Sequence, residues 1–381
     1  MTFGSLTISN NAPSRFGFGA LAGISADLTA LNIQKALICT DKGIIAAGAL
    51  DKLLGHLAAA ETVIFDGTPA NPSESAARLA TALFKSASCD GVIAFGGGSS
   101  LDLGKAVALL ATHDGALVDY TTQNNGAARI GAVAPLIAIP TTAGTGSEFA
   151  RACVLILDNG DKRIIASPNL IPKLAILDPD LTLGLPPLLT AATGMDAVTH
   201  CIEAVLSPVE NPAAEAIGLA GLHRALGDGA LMAAVANGND RNARYVMLQV
   251  STLGAMAFSK GLGAVHAMSH ACGKDQSLRL HHGTLNAVLL PPVLRFNRAA
   301  APDKYRAIAL ALGVSADTDL ATYIETLNHA LGLPAGLSSM GITSAMIPDL
   351  AAHAAVDMCS ATNPVPLDST GYAALFAVAL R

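Results

Sequence analysis

Short apolar runs alternate with stretches of helical period along the first half of the chain. Residues 36–40 (ALICT), 62–66 (TVIFD), 91–95 (GVIAF) and 136–140 (LIAIP) read as buried strands. Helical patterns follow the first run to about residue 57, resume after Pro72, and resume again after the glycines at 96–98 to about residue 110. Strands that alternate with helices predict a parallel sheet covered on both faces. Residues 153–167 (CVLILDNGDKRIIAS) hold two strand-like runs around an Asn-Gly turn and predict a hairpin. The proline-rich DPDLTLGLPPLLT at 178–190 marks a boundary. Beyond it the helical period continues almost to the end, with clear examples at 213–226, 241–258 and 302–312. The expected architecture is an α/β domain with a Rossmann-like parallel sheet over residues 1–184, followed by an all-α domain over 185–381.

Composition supports this reading. A chain of 381 residues can bury two cores. Half of it is hydrophobic and 14% is charged, which excludes a disordered chain. A net charge of −6 without a long basic run argues against nucleic acid and anionic membrane as partners. The six cysteines are scattered with no C-x-x-C pair, as expected of small buried hydrophobes in a reducing compartment. The N-terminal stretch lacks the layout of a secretion signal, and no apolar run approaches the roughly 18 residues that span a bilayer. A cytoplasmic location is therefore expected.

Candidate chemistry enters at two loops. GGGSSLDLGK at 96–105 places Gly96, Gly97, Gly98 and Ser99 between a buried strand and a helix, where bare backbone N–H groups and the helix N-terminus suit a phosphate. A purely structural turn is the alternative. The G-x-G-x-x-G fingerprint is absent, and the spacing to Gly104, with Ala106 after Lys105, rules out a P-loop. A second loop, IPTTAGTGSE at 139–148, offers Thr141, Thr142 and Thr145. Two such loops at the ends of core strands suit a pyrophosphate with a nucleoside at each end. Asp41, just past the first strand, can accept from an adenosine ribose and would repel a 2′-phosphate, or it can serve as a helix N-cap.

The second half supplies histidines. Four of the ten lie in GLGAVHAMSHACGKDQSLRLHHG at 261–283: His266, His270, His281 and His282. Upstream, Asp196 and His200 stand i, i+4 on an otherwise apolar helix face. A satisfied core histidine is the plain reading of such a position, but two polar groups there would both need partners. One carboxylate and three imidazoles make a donor set for Fe(II), Zn(II) or a similar ion. No H-E-x-x-H occurs, which disfavours a zincin protease.

Together these motifs resemble the iron-containing (group III) alcohol dehydrogenase family. The resemblance runs along the whole chain, through FGFGA at 16–20, TDK at 40–42, NPS at 71–73, the two loops, the Lys162 hairpin, DPDL at 178–181, GMDAVTHCIEA at 194–204, GLGAVHAMSH at 261–270 and HHGTLNAVLLPPVLRFN at 281–297. It implies a metal-dependent, NAD-linked dehydrogenase of small alcohols and aldehydes, often a homodimer or larger homo-oligomer. The metal ligands would be Asp196, His200, His266 and His282, the last chosen over His281 because it directly precedes Gly283. His270 would be a catalytic proton relay. NAD, preferred over NADP because of Asp41, would touch Asp41, Asn71, Gly97, Gly98, Ser99, Asp102, Thr141, Thr142, Thr145 and Lys162. Fe(II) is the expected metal and Zn(II) the alternative. The metal would polarise the alcohol oxygen while the carbinol hydride passes to the nicotinamide and the proton leaves through His270 or water.

The chain departs from the family where H-P-L-G commonly follows the second histidine. Here Ala271 replaces Pro, and KDQSLRL lengthens the path to His282. Arg151 falls where many relatives are neutral; Lys260, Lys274 and Arg279 add charge near the metal motifs and read one by one as surface residues. Arg151 and Phe258 are the substrate-side candidates, and Arg151 suggests an anionic tail on the substrate. Rival readings on the same architecture are a maleylacetate-reductase-like enzyme, a dehydroquinate-synthase-type cyclase and a non-catalytic binding protein.

Overall fold

The described residues form eight strands: β1 (Ser14–Phe16), β2 (Lys35–Cys39), β3 (Glu61–Phe65), β4 (Gly91–Gly96), β5 (Leu136–Pro140), β6 (Ala152–Ile156), β7 (Lys162–Ala166) and β8 (Leu174–Leu177). They are seen in a computed structural model that describes residues 12–57, 60–275 and 277–381. Six of them form one wholly parallel sheet in the order β1-β8-β5-β4-β2-β3. Side chains alternate across a strand, so each central strand feeds two cores. Leu37, Val92, Ala94, Leu136 and Ala138 pack with Ala77, Leu101, Leu103 and Val107. Ile38, Ile93, Phe95, Ile137 and Ile139 pack on the other face with Ile24, Leu28 and Leu53. Helices α1 (Ile24–Ala30), α2 (Lys42–Ala46), α3 (Ala49–Gly55), α4 (Glu74–Ser86) and α5 (Gly98–Leu110) supply those layers.

From β2 the chain steps outward to β3, then returns past β2 to β4 and continues the other way to β5 and β8. The order therefore reverses between β2 and β4, and the carboxyl ends of these two strands border the crevice where open α/β sheets bind ligands. Asp41 follows β2, and Gly97 follows β4. The hairpin forms as expected: β6 and β7 pair antiparallel around Asn159-Gly160, with Gly160 in the left-handed region (φ 86°). Strands β1 and β8 extend the sheet beyond the runs read from sequence. β1 has only three residues, and β8 is a four-residue run pressed against DPD.

The described residues fall into two compact units, 12–142 with 146–183 and 143–145 with 184–381. The second unit is all-helical: α6 (Pro187–Leu206), α7 (Pro212–Leu222), α8 (Ala230–Ala236), α9 (Arg241–Ala257), α10 (Ala264–Cys272), α11 (His282–Asn297), α12 (Pro302–Ala311), α13 (Leu320–Ala330), α14 (Ile347–Ala355) and α15 (Ser369–Ala379). Helix α6 is buried without interruption from Thr190 to Leu206. A helix apolar on every side sits inside its bundle, and α7, α8, α9 and α11 pack around this one. Its polar residues Asp196, Thr199, His200 and Glu203 must then find partners within the protein. No helix among the described residues is long and apolar enough to cross a membrane.

Candidate metal centre and cofactor loops

Asp196, His200 and Glu203 lie along one face of α6. His266 and His270 stand one turn apart on α10, and His282 is the first residue of α11. His281, outside the proposed ligand set, caps α11 by accepting the Thr284 N–H at Nδ1 (3.4 Å). The fold brings Asp196, His200 and His266 together, with ligand atoms mutually within 4.8 Å, and sets His282 beside Asp196 on the edge of that group. Asp196 Oδ1 lies 3.8 Å from His200 Nε2, 3.8 Å from His266 Nε2 and 3.7 Å from His282 Nε2. Ligand bonds of about 2.1 Å at tetrahedral angles place donor atoms about 3.4 Å apart, so the three approaches to Asp196 Oδ1 are only slightly wider, while His282 stands farther from the other two rings than they stand from each other. The side chains of Asp196, His200 and His266 are buried, whereas that of His282 is 26% exposed. One carboxylate oxygen and three imidazole nitrogens, held close without direct mutual hydrogen bonds, fit a first-row divalent ion.

The surrounding groups differ from ring to ring. His266 Nδ1 donates to Glu203 Oε2 at 2.6 Å. Burial opposes a charge on the His266 ring, but the Glu203 hydrogen bond and carboxylate charge overcome it and shift the ring upward. Burial pushes the His200 ring down to about 4, against the opposing pulls of the Asp196 and Glu203 carboxylates and the Gly144 backbone. His282 Nδ1 lies 3.3 Å from Ser269 Oγ. Asn286, one turn after His282, donates from Nδ2 to Asp196 Oδ1 at 2.7 Å and lies 3.2 Å from Nε2 of both His266 and His282; its buried Oδ1 has no partner. The Phe258 ring meets His200 edge-on at 5.1 Å.

His270 belongs to the same cluster. Its ring stacks on His282 at 5.5 Å and meets His266 edge-on at 6.1 Å. Nδ1 donates to Asp357 Oδ2 at 3.0 Å, while Asp357 Oδ1 accepts the Cys359 N–H at 2.8 Å. Burial acts to raise the Asp357 carboxyl, but the facing His270 and these hydrogen bonds hold it below its usual range. Glu203, Asn286 and Asp357 were not nominated from sequence. The first two were readable as one-turn neighbours of ligand candidates; Asp357 is joined to His270 only by the fold.

In the α/β unit, α5 begins with no side chain capping its first turn, because Gly97 stands at the N-cap. Its N-terminal N–H groups are thus available to an anion. Thr141 Oγ1, at the end of β5, is buried and without a partner. These features suit a phosphate-bearing cofactor. Asp41 does cap α2, accepting the Ile44 N–H at 3.0 Å through one oxygen. Lys162 Nζ donates to Asn71 Oδ1 at 3.0 Å, and Ser99 Oγ donates to the Ala70 carbonyl at 2.5 Å, so these candidates cluster. Asp102 turns both oxygens to the protein, accepting from Ser147 Oγ (2.5 Å) and the Val154 N–H (3.0 Å). Thr145 groups with the helical unit rather than with Thr141 and Thr142.

Lys105 fixes the segment that follows the second loop. It is fully buried, and Nζ donates to the carbonyls of Ser147 (2.6 Å), Ala150 (2.9 Å) and Ala152 (2.7 Å) and to Ser147 Oγ (3.0 Å). Burial lowers its pKa, against the opposing pull of Asp102. Lys105→Met keeps the apolar stem and removes all four of these donated bonds. It should cost about 3 kcal/mol or more of unfolding free energy in urea; a change under about 0.5 kcal/mol would contradict this account.

Two of the additional cations are committed elsewhere. Lys260 is not a surface residue: it is 2% exposed and pairs with Glu215 at 2.6 Å. Lys274 pairs with Asp349 at 2.5 Å. Arg151 and Arg279 are exposed and make no ion pair among the described residues. Arg279 also holds a left-handed backbone (φ 49°).

Comparison with known proteins gives a concordant picture. Residues 12–179 match the family model for iron-containing alcohol dehydrogenase, and residues 190–380 match the C-terminal model for the Fe-containing alcohol dehydrogenase family. The chain is 47% identical over 364 residues to a 4-hydroxybutyrate dehydrogenase of Cupriavidus necator, covering 93% of this chain and 94% of that protein. The crystal structure of a 1,3-propanediol oxidoreductase superposes with a TM-score of 0.91 at 36% identity, over 97% of this chain and 98% of the other. The structure of sulfoacetaldehyde reductase from Bifidobacterium kashiwanohense in complex with NAD+ superposes with a TM-score of 0.86 at 27% identity, over 99% of both chains.

Proposed function

The chain belongs to the iron-containing alcohol dehydrogenase family, and on that premise we propose that it oxidises a small ω-hydroxy acid, or reduces the matching aldehyde, with NAD and a divalent metal. The observation that carries the reading is the approach of Asp196 Oδ1 to three histidine Nε2 atoms at 3.7–3.8 Å. Asp196, His200, His266 and His282 would hold the metal, and Fe(II) is the ion the family implies. When bound, the metal supplies Lewis-acid polarisation of the alcohol oxygen, and NAD supplies the hydride acceptor.

The remaining work falls to the chain. With Nδ1–H committed to Asp357, His270 keeps its Nε2 lone pair for a proton. Phe258, edge-on to His200, would offer the substrate an apolar contact. Gly97, Gly98 and Ser99 would receive the pyrophosphate at the α5 N-terminus, with the Thr141 hydroxyl beside it. One oxygen of Asp41 would take the ribose, the other being the α2 cap. Arg151 would hold the acid end. The names of two relatives, 4-hydroxybutyrate dehydrogenase and sulfoacetaldehyde reductase, both denote substrates with an anionic end, and Arg151 is exposed with no competing carboxylate among the described residues.

The test follows NADH formation at 340 nm with 4-hydroxybutyrate and with 1-butanol. A charge-assisted bond contributes about 1.5–3 kcal/mol, so kcat/KM should favour the hydroxy acid by about 10- to 100-fold and Arg151→Ala should abolish the preference. Equal specificity constants in the wild type would remove the anionic-tail reading. Absence of net NADH with any alcohol would favour a cyclase instead.

A further inference from the structure

Glu203 occupies a position that nothing in the ligand set requires. It follows His200 by three residues on α6, is only 4% exposed, and directs its carboxylate at the start of α10 rather than into the donor cluster. Oε1 accepts the Val265 N–H at 2.7 Å. Oε2 accepts Nδ1–H of His266 at 2.6 Å and lies 3.4 Å from the His266 N–H. Val265 and His266 are in the first turn of α10, whose N-cap residue, Gly263, has no side chain to offer. One carboxylate from α6 thus shares the capping of α10 with Asn363, whose Oδ1 accepts the Ala264 N–H at 3.1 Å, and also grips a side chain of the same turn. Space for it is reserved: a Cβ on Gly263 would sit 2.8 Å from Glu203 Oε1 and 2.9 Å from Asn363 Oδ1.

We infer that Glu203 is the positioning residue of the metal centre, fixing His266 in the tautomer and orientation that present the Nε2 lone pair to the ion and tying α6 to α10. This inference rests on the functional reading above. A carboxylate can only accept, so Nδ1 must carry the ring proton and Nε2 must be the free donor. The buried negative charge also raises the basicity of the ring it holds, as carboxylates behind metal-bound histidines do. His266 Nδ1 is held by a buried carboxylate, whereas His282 Nδ1 lies 3.3 Å from the Ser269 hydroxyl.

Glu203→Gln separates this role from simple packing. Gln keeps the shape but has one accepting oxygen, which cannot serve both the Val265 N–H and Nδ1–H. With the oxygen on Val265, its amide NH2 faces Nδ1, and His266 must move its proton to Nε2, the ligand atom. The experiment uses the full-length chain stripped with chelator. Ring 15N shifts of histidine-labelled protein report the tautomer, and titration with Co(II), followed by its d–d absorption, reports affinity. Wild type should show Nδ1–H at His266. E203Q should show Nε2–H and bind Co(II) about 10- to 100-fold more weakly, with NADH fluorescence titration unchanged. Should E203Q fail to fold, Gly263→Ala displaces the same carboxylate with every charge retained and should weaken Co(II) in the same direction. A wild-type chain that takes up no Co(II) overturns the functional reading and this inference with it. Wild type that binds Co(II), beside a variant within twofold of it and still Nδ1-protonated, overturns the inference alone.

Discussion

His266→Ala is expected to lose both its metal and its turnover while still binding NADH. The ring is the hub of the cluster: Nε2 faces Asp196 Oδ1 at 3.8 Å, Nδ1 is held by Glu203 at 2.6 Å, and the ring plane stacks on His200 at 4.6 Å. Truncation removes one of four donors and leaves the Glu203 carboxylate buried without its main counter-group. Lewis-acid polarisation contributes several kcal/mol to a transition state, and each 1.4 kcal/mol is a factor of ten. Turnover should therefore fall by at least about 10³. Elemental analysis after gel filtration should find far less than one ion per chain. The cofactor candidates Asp41, Asn71, Gly97 and Lys162 lie in the α/β unit, so NADH affinity should stay within about twofold of wild type. A chelated variant that reduced aldehydes at the wild-type rate would defeat the metal assignment, and loss of NADH binding would point to general misfolding instead.

Much of this organisation was legible in the sequence because it is local. β2, β4 and β5 are apolar runs buried on both faces, and the alternation of Ile93 with Ala94 between two cores is the period-two rule at work. The i, i+4 pairs Asp196/His200 and His266/His270 survive folding because helix geometry alone sets them. What could not be read depends on the fold. β8 is four residues beside a proline-rich boundary and gains its identity only by lying between β5 and β1. Glu203 looks like any polar residue on a helix until α10 arrives, 63 residues away, with two N–H groups and a ring proton to satisfy. Asp357 and His270 are 87 residues apart. Lys260 looked like a surface charge because sequence carries no sign of its burial against Glu215. Charge near a motif was therefore a poor guide to charge near a site, whereas residue type at helical spacing was a good one.

Gly283→Ala, a change of one methyl group, is expected to damage the centre almost as severely as losing a ligand. Gly283 directly follows His282 and lies against the backbone of α6. A Cβ there would run into the carbonyl oxygen of Ala192, at 2.8 Å from its carbonyl carbon and 3.3 Å from Asp196 Cβ. Neither α6 backbone nor a helix start can yield as a long side chain can, so α11 and α6 must part by roughly 1 Å to reach van der Waals contact. That movement separates His282 from Asp196, one turn after Ala192, and stretches the 2.7 Å bond from Asn286 to Asp196. Overpacking of this kind costs about 1–3 kcal/mol of stability, and misplacing a reacting group by about 1 Å can cost 10²-fold in rate. The expected result is a folded chain with a lowered Tm, weakened Co(II) binding and kcat reduced by about 10². Gly55→Ala serves as the comparison. Gly55 ends α3, and nothing lies within 4 Å of its added Cβ, so this variant should leave stability within about 0.5 kcal/mol and turnover unchanged. Wild-type metal affinity and kcat in Gly283→Ala would mean that the helices absorb the methyl without moving the donors. The close approach of α11 to α6 would then have no part in holding the site.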